Sequence, residues 1–507
     1  MGRIGKIILI SFAFIFIVLV LTFGIFTYLF IEAKQSNVGE LTFDKKLYIP
    51  ELLEPTVDEQ GRKEFNIEFQ EGEMEWIDGK KTKTWGLNGP YLSPTLRASK
   101  GDEVVVNVSN ATDEETTLHW HGMILPGEMD GGPHQLIQPG ETWSPTWKIK
   151  QPAATTWFHP HTHGKTAEHV YRGAAGMFII DDPDAQSLNI PQNYGVDDIP
   201  LIIQDKRFSQ DGSMNSGAPF FSNVGTLGDH IVVNGTLNPY FEATTNLVRF
   251  RILNASNARV YDLGFNDNRS FFLIGTDSGL LEEPVEMERL MLSPGERAEI
   301  VVKISSDDNV ILKSYAPDLS SPFWAQRFNG GDDTFDILNI RGASKLVDLG
   351  ELPSRLVDID FPIEEDVVKR RTFDLVGQST INGKPMNMHR IDEVVTIGST
   401  EIWEIRNPRS ETYHNFHAHG IHFALLELNG QEPPDHLKGW KDTIFLPPES
   451  TATVIAKFDA YAGTDAPFMY HCHILMHEDA GMMGQFIVVD SDTDIIDKIE
   501  KQHENIH

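Results

Sequence analysis

The sequence predicts an all-β protein: three consecutive β-sandwich domains behind one membrane-crossing helix. Three observations carry that expectation. One strand pattern occurs three times along the chain. A Pro-rich turn with its own strand follows each copy in the same order. Residues 7 to 31 form a run without a single charge.

The uncharged run comes first. It is IILISFAFIFIVLVLTFGIFTYLFI, and about 20 apolar residues suffice to cross a bilayer as a helix. Arg3 and Lys6 precede it, so the positive-inside rule leaves the N-terminus in the cytoplasm. A cleaved signal has an apolar core of only about 7–15 residues and a small-residue cleavage site. This run is longer, and nothing like Ala-x-Ala follows. The expectation is an uncleaved signal-anchor within residues 1–35. It makes a single pass of the cell membrane and leaves the rest of the chain on the extracytoplasmic side. Secretion after signal cleavage is the alternative. A lipid anchor is excluded, because no cysteine lies nearby.

The repeated pattern reads VVVNVSNATDEETTLHWHG over 104–122, VRFRILNASNARVYDLGF over 248–265 and EIWEIRNPRSETYHNFHAHG over 401–420. Val104, Val106 and Val108 share one face of a strand, as do Trp403 and Ile405, a period of two. The second pattern reads QPGETWSPTWKI, SPGERAEIVVKI and PPESTATVIAKF, each a turn followed by a strand. Fixed-order repetition implies three copies of one domain. Short strands between Gly/Pro turns imply antiparallel β-sandwiches. The expected units are 40–190, 191–350 and 370–491, with 351–369 as an acidic linker and 492–507 as a polar tail. Only the first and third copies carry histidines where the pattern ends. The middle unit is therefore expected to space and orient the outer two.

Hydrophobic content of 40% and charged content of 23% are those of globular domains with real cores. The net charge of -32 argues against a nucleic-acid partner. It suits cationic ligands, metal ions included, and equally suits plain solubility outside the cell.

The chain holds one cysteine, Cys472, within HCHILMHEDAGMM. Exported proteins commonly use cysteines in pairs, so a lone thiol asks for another role. Four histidine clusters surround the question. They are His119-Trp-His121, His159-Pro-His161, His414-Asn-Phe-His417-Ala-His419 and His471-Cys472-His473 with His477, together ten of nineteen histidines. In a strand, residues i and i+2 face one side. Each His-x-His pair thus offers two imidazoles to one surface, and Cys472 points away from His471 and His473. A thiolate with two imidazoles and a weak thioether is the blue-copper electron-transfer set. His414 and His477 are the imidazoles left over for it. Met482, ten residues beyond Cys472, can be the thioether, with Met483 and the more distant Met476 as competitors. The other eight histidines come four from the first unit and four from the third, so those units have to meet. Zinc is the rival metal, but a closed zinc site needs only four ligands.

These motifs resemble the multicopper oxidases, a family that includes laccases, bilirubin oxidases and bacterial cuprous oxidases. The likeness covers about residues 40 to 490, through LHWHG, WFHPHTHG, HNFHAHG and HCHILMHEDAGMM; PGEMDGGP and VNGTLNPYF look like the bacterial branch. It implies three cupredoxin-like Greek-key domains and four copper ions. By resemblance, type 1 copper takes His414, Cys472, His477 and Met482, and type 2 takes His119 and His417. The type 3 pair takes His121, His159, His161, His419, His471 and His473. The implied reaction is four one-electron oxidations of a reductant, coupled through Cys472 to reduction of O₂ to water. Asp130 and Glu478 match acidic positions that supply protons in the family. Asn415 stands where the family usually has proline; as it is not a ligand, little consequence is expected.

The electron donor is less legible. No methionine-rich insert lies between 343 and 390, and Met386, Met388 and His389 read as ordinary strand packing. Glu411 could hold a donor copper near type 1, though no methionine joins it. The resemblance leaves Cu(I), in copper resistance, alongside phenols, aromatic amines, Fe(II) and bilirubin-like pigments as donors. The alternative class is a non-catalytic copper-binding cupredoxin protein, a carrier or a structural relative. A complete set of twelve ligand positions speaks for the oxidase.

Overall fold

The structure is a computed structural model that describes residues 2–409 and 411–490. The expectation for the polar tail lies outside the described residues. The chain opens with the helix Arg3–Glu32. Its portion Ile10–Glu32 is apolar, and the stretch that could cross a bilayer is unburied by the rest of the protein. At ~1.5 Å per residue it is about 35 Å long, enough to cross the ~30 Å hydrocarbon layer.

Three consecutive sandwiches follow, built from six sheets. The repeat seen in the sequence is a repeat of topology. In the first sandwich Glu103–Asn110 lies parallel to Lys63–Ile77 and antiparallel to Thr146–Lys148. In the second, Leu247–Asn254 lies parallel to Asp198–Lys206 and antiparallel to Arg297–Lys303. In the third, Thr400–Asn407 lies parallel to Val367–Val376 and antiparallel to Ser450–Lys457. The purely antiparallel expectation is therefore corrected: each sandwich mixes both pairings. A parallel pair needs a long crossover, and the alternation of apolar residues does not record the direction of the partner strand.

The alternation itself does its work as expected. Val104, Val106 and Val108 are fully buried, and so are Trp403 and Ile405. The turns that open the second pattern need a left-handed residue. Gly140 and Gly295 supply it at φ 81° and 84°, and Glu449 takes the same place at φ 57°.

The cores are not sealed from one another. Ala153, Ala185 and Ile190 belong to the apolar cluster of the middle sandwich. Val224, Leu227, Ala258, Val260 and Leu319, from the middle, belong to that of the third. Leu356 packs into the middle core, with Leu352 and Val357 against it, so the first half of the acidic connection lies on the middle sandwich. This interlocking brings the first and third units face to face.

Candidate metal centre

In the first unit the edge strand His119–His121 pairs with Ala154–His159, setting His119 opposite His159. In the third, His417 of His414–Ala418 stands opposite His471 at the end of Gly463–His471. Cross-strand neighbours have Cβ atoms only ~5 Å apart, so each unit gathers its own imidazoles. Docking then joins the two sets. The ring of His119 stacks on His419 with centroids 3.7 Å apart, and that of His121 on His417 at 3.6 Å.

Eight histidines close into one buried cluster this way. Ligand atoms converge in the groups His119–His417–His419, His121–His159–His473 and His161–His419–His471. Backbone carbonyls fix several tautomers. The Nδ1 atoms of His119, His159, His417 and His471 face the carbonyls of Asp130, Pro160, Asp442 and Cys472 at 3.0, 2.8, 2.8 and 3.2 Å. A carbonyl only accepts, so each Nδ1 carries the proton and each Nε2 presents a lone pair inward. His419 is oriented alike, its Nδ1 lying 2.7 Å from Asp130 Oδ2. Its Nε2 then confronts Nε2 of His471 at 3.1 Å, lone pair against lone pair. The Nε2 atoms of His119 and His417 are buried with no partner at all. A cluster of this kind is unfavourable by itself and is what a bound cation satisfies. Burial also pushes His471 down to about 3, so the imidazole is neutral and free to ligate at neutral pH.

The second centre lies across the Cys472 backbone. Its Sγ is 3.6 Å from Nδ1 of both His414 and His477, and those two nitrogens are 3.2 Å apart. A point equidistant from the three atoms sits about 2 Å from each, close to the bond lengths of a first-row metal to nitrogen and sulfur. His477 Nε2 donates to the Asn223 carbonyl at 2.7 Å, which leaves its Nδ1 as the acceptor facing Cys472. Burial lowers His477 to about 4 and raises the Cys472 thiol to about 12; a metal would deprotonate that thiol outright. The donor set therefore fits a soft, one-electron metal. Met482 is fully buried in the same apolar cluster as Cys472. Met483 pairs in the sheet with His471, and Met476 is half-buried beside Gly225.

Asp130 and Glu478 both lie against the eight-histidine cluster. Asp130 meets His419, and its other oxygen is 3.4 Å from His119 Nδ1. Glu478 Oε2 is 3.2 Å from His471 Nδ1 and Oε1 is 3.5 Å from His161 Nδ1. Burial, with Asp479 beside it, raises Glu478 well above the ordinary carboxyl range.

Several contributors escape sequence reasoning. Asp442 is fully buried, 3.1 Å from His121 Nε2, and is gripped by Arg297 at 2.5 and 2.7 Å. Lys441 bridges Asp277 and Glu296 at 2.9 and 3.0 Å. The middle unit thus does more than space the others. Asn415, expected to matter little, is fully buried. Its Oδ1 accepts from the His473 N–H at 2.6 Å, and its Nδ2 donates to Ser293 Oγ and the Pro294 carbonyl at 3.1 and 2.8 Å. Gly295 follows so close that an added Cβ would lie 3.1 Å from the His473 ring. Proline could make none of the Asn415 side-chain bonds. Met386, Met388 and His389 lie in a loop, which corrects the strand expectation; the carbonyls of Asn387, Met388 and Arg390 in that loop bind the Gln485 amide. Glu411 is exposed.

Comparison with known proteins places these observations. The family description "Multicopper oxidase" matches residues 68–185 and again 360–492. The cell division protein FtsP of Xenorhabdus nematophila is 38% identical over 461 residues, 90% of this chain and 94% of that one. The multicopper oxidase mco of Staphylococcus epidermidis is 36% identical over 460 residues, 90% and 95% of the two chains. Among solved structures, a laccase-like multicopper oxidase CueO from Ochrobactrum sp. superposes with TM-score 0.79 at 37% identity, covering 87% of this chain and all of the other. A laccase from Pediococcus acidilactici gives 0.80 at 35%, covering 89% and 95%. Likeness of this extent, in a chain whose lone thiol and ten buried imidazoles already converge on two centres, makes the protein a member of the multicopper oxidase family, with the copper binding that membership implies.

Proposed function

We propose that the chain is an oxidase that takes single electrons from a reducing substrate and delivers them to O₂, with water as product. One observation carries this reading. Cys472 Sγ lies 3.6 Å from His414 and His477 Nδ1, and its chain neighbours His471 and His473 both enter the eight-histidine cluster. A centre that exchanges one electron is thereby joined to a multi-ion centre by a few covalent bonds.

Four copper ions are assigned to these residues. His414, Cys472, His477 and Met482 hold type 1; His119 and His417 hold type 2; His121, His159, His161, His419, His471 and His473 hold the type 3 pair. When bound, the copper supplies one-electron acceptance at the first centre and four-electron reduction of O₂ at the second. The protein orients the imidazoles through backbone carbonyls and excludes water. Glu478, whose Oε2 lies 3.2 Å from His471 Nδ1, supplies protons to the cluster as O₂ is reduced. Asp130 anchors His419 and relays a second proton path. The sandwiches occupy 40–190, 191–350 and 370–491, with 351–369 as connection.

The N-terminal helix stays attached as a single-pass anchor, with the sandwiches outside. Its last turns pack on the folded domains, which supports retention. Phe26 and Phe30 meet Phe221, Phe323 and Phe328 with ring centroids about 6 Å apart, and the Arg327 guanidinium lies 4.7 Å over Phe30.

The relatives named for cell division favour a second reading, in which the fold serves the division machinery and turnover is secondary. Copper content and O₂ uptake separate the two. The copper-loaded chain is given Cu(I) or a methoxyphenol, with Cys472→Ser as the blank. Uptake with Cu(I) alone assigns a copper-resistance role, and uptake with the phenol assigns a laccase-like one. A chain that binds four coppers and consumes no O₂ with either donor, or a Cys472→Ser variant with normal turnover, would defeat the oxidase reading.

A further inference from the structure

Where the helix meets the folded domains, aromatic side chains stand out of the surface. Phe220 is 68% exposed, Phe221 54%, Phe323 66% and Trp324 46%. They form one connected shelf. Phe220 packs on Phe221 at 4.7 Å and Phe221 on Phe328 at 5.1 Å; Phe323 packs on Trp324 at 5.2 Å. Phe26 and Phe30 of the helix join the two halves. Large aromatics left in contact with water at such density mark an interaction surface, and aromatic rings collect at the boundary between hydrocarbon and headgroups.

The height of the shelf agrees. Counted from Ile7, the first residue after Lys6, Phe26 lies about 29 Å along the helix at ~1.5 Å per residue. The hydrocarbon layer is ~30 Å thick. The shelf therefore stands at the outer boundary of that layer, beside a helix already in it.

The same segment reaches the thiolate centre. Pro219–Gly225 begins with the exposed phenylalanines. Four residues on from Pro219, the Asn223 carbonyl accepts the Nε2 proton of His477 at 2.7 Å. Asn223 N–H donates in turn to Asn329 Oδ1 at 3.2 Å, and Asn329 caps the helix Phe323–Phe328 that carries the other half of the shelf. Gly225 presses on Met476, where an added Cβ would lie 3.0 Å from the Met476 Cβ. The first half of the shelf is thus hydrogen-bonded to His477 through Asn223, and the second half is bonded to that same Asn223 through Asn329.

We propose that this shelf rests in the outer leaflet, so that buried His477, reached through Asn223, accepts electrons from a lipid-soluble hydroquinone dissolved in that leaflet. The proposal rests on the anchor and oxidase readings given above. Two hydroquinones release four electrons and four protons and become two quinones. One O₂ takes all four electrons and four protons and becomes two waters. No further reductant is needed.

The test uses the copper-loaded full chain in phosphatidylcholine liposomes. In the first arm, lipids brominated near the headgroup quench tryptophan emission. The quenched fraction is expected to fall in Trp324→Phe; equal quenching in both proteins overturns the membrane surface without reference to activity. In the second arm, O₂ uptake is compared for an isoprenoid hydroquinone in the bilayer and a water-soluble hydroquinone. The pair Phe220→Ser and Trp324→Ser is expected to slow the first by about tenfold, since shared confinement raises effective concentration, and to leave the second within about twofold. An equal effect on both donors, or wild-type preference for the soluble one, overturns the bilayer donor while the oxidase reading stands. Wild-type failure with both donors overturns the donor and the oxidase reading together, whatever the quenching shows.

Discussion

Replacing Asn415 by alanine should loosen the strand-and-loop junction that carries His471, Cys472 and His473. The side chain makes three buried bonds, to the His473 N–H at 2.6 Å, to the Pro294 carbonyl at 2.8 Å and to Ser293 Oγ at 3.1 Å. The serine hydroxyl can turn to another acceptor. The His473 amide and the Pro294 carbonyl cannot, because both belong to packed backbone. A buried group left without a partner costs ~1–3 kcal/mol, so the two together cost about 2–6 kcal/mol, against a usual ~1 kcal/mol for a single substitution. The loss is local, so the assay is native-state amide exchange of Tyr470–Ile474 followed by mass spectrometry. A loss of ~2 kcal/mol accelerates exchange by about 30-fold, since each ~1.4 kcal/mol is a factor of ten. The blue absorption of the copper-loaded variant should shift as well, because the Asn415 amide oxygen lies 3.6 Å from Cys472 Sγ. Exchange within about threefold of wild type, together with an unmoved band, would refute the reasoning and return Asn415 to the neutral role expected from the sequence.

Three further outcomes are expected. Arg297→Met leaves Asp442 in a buried site without its bidentate partner; the cost should be about 3–5 kcal/mol, read as thermal destabilisation, and a loss below ~1 kcal/mol would show that Lys441 compensates. Asp130→Asn should keep its copper, because the amide oxygen can still accept from His419, yet slow turnover by at least about tenfold as a proton relay is lost; loss of copper instead would make Asp130 structural. The metal-free chain should lose stability on acidification. His477 and His471 are lowered to about 4 and about 3 by burial, so the unfolded chain, with histidines near ~6.5, binds protons first. Stability is then full above pH ~6.5 and falls as pH drops toward about 4; a urea midpoint at pH 5 equal to that at pH 7.5 would contradict this.

The convergence of the histidines was legible in the sequence because strand geometry acts over two residues. His119 and His121, or His417 and His419, share a face for the same reason that Val104 and Val106 do. The partners that orient them were not legible. Asp442 reaches His121 across 321 positions, Arg297 reaches Asp442 across 145, and Asn415 reaches Ser293 across 122. Nothing local in KDTIF or HNFHAHG announces such partners. Strand direction was hidden for a related reason: the side-chain period of Lys63–Ile77 is the same whether Glu103–Asn110 runs with it or against it. The contact of Asn223 with His477 joins an unremarked loop to a motif 254 residues away, and only the folded chain connects them.

The burial of the two centres bears on how the protein matures. All ten imidazoles and the thiol are 1% exposed or less, and their positions run from His119 to His477. The eight-histidine cluster does not exist until the last third of the chain has been made and has closed on the first. After closure, Nε2 of His119 and of His417 is buried. Loading is therefore expected to compete with docking in time, and later exchange to depend on opening between the outer sandwiches. The finished protein should behave as a slow-exchange vessel: chelators remove its metal at the rate of domain opening, whatever their affinity.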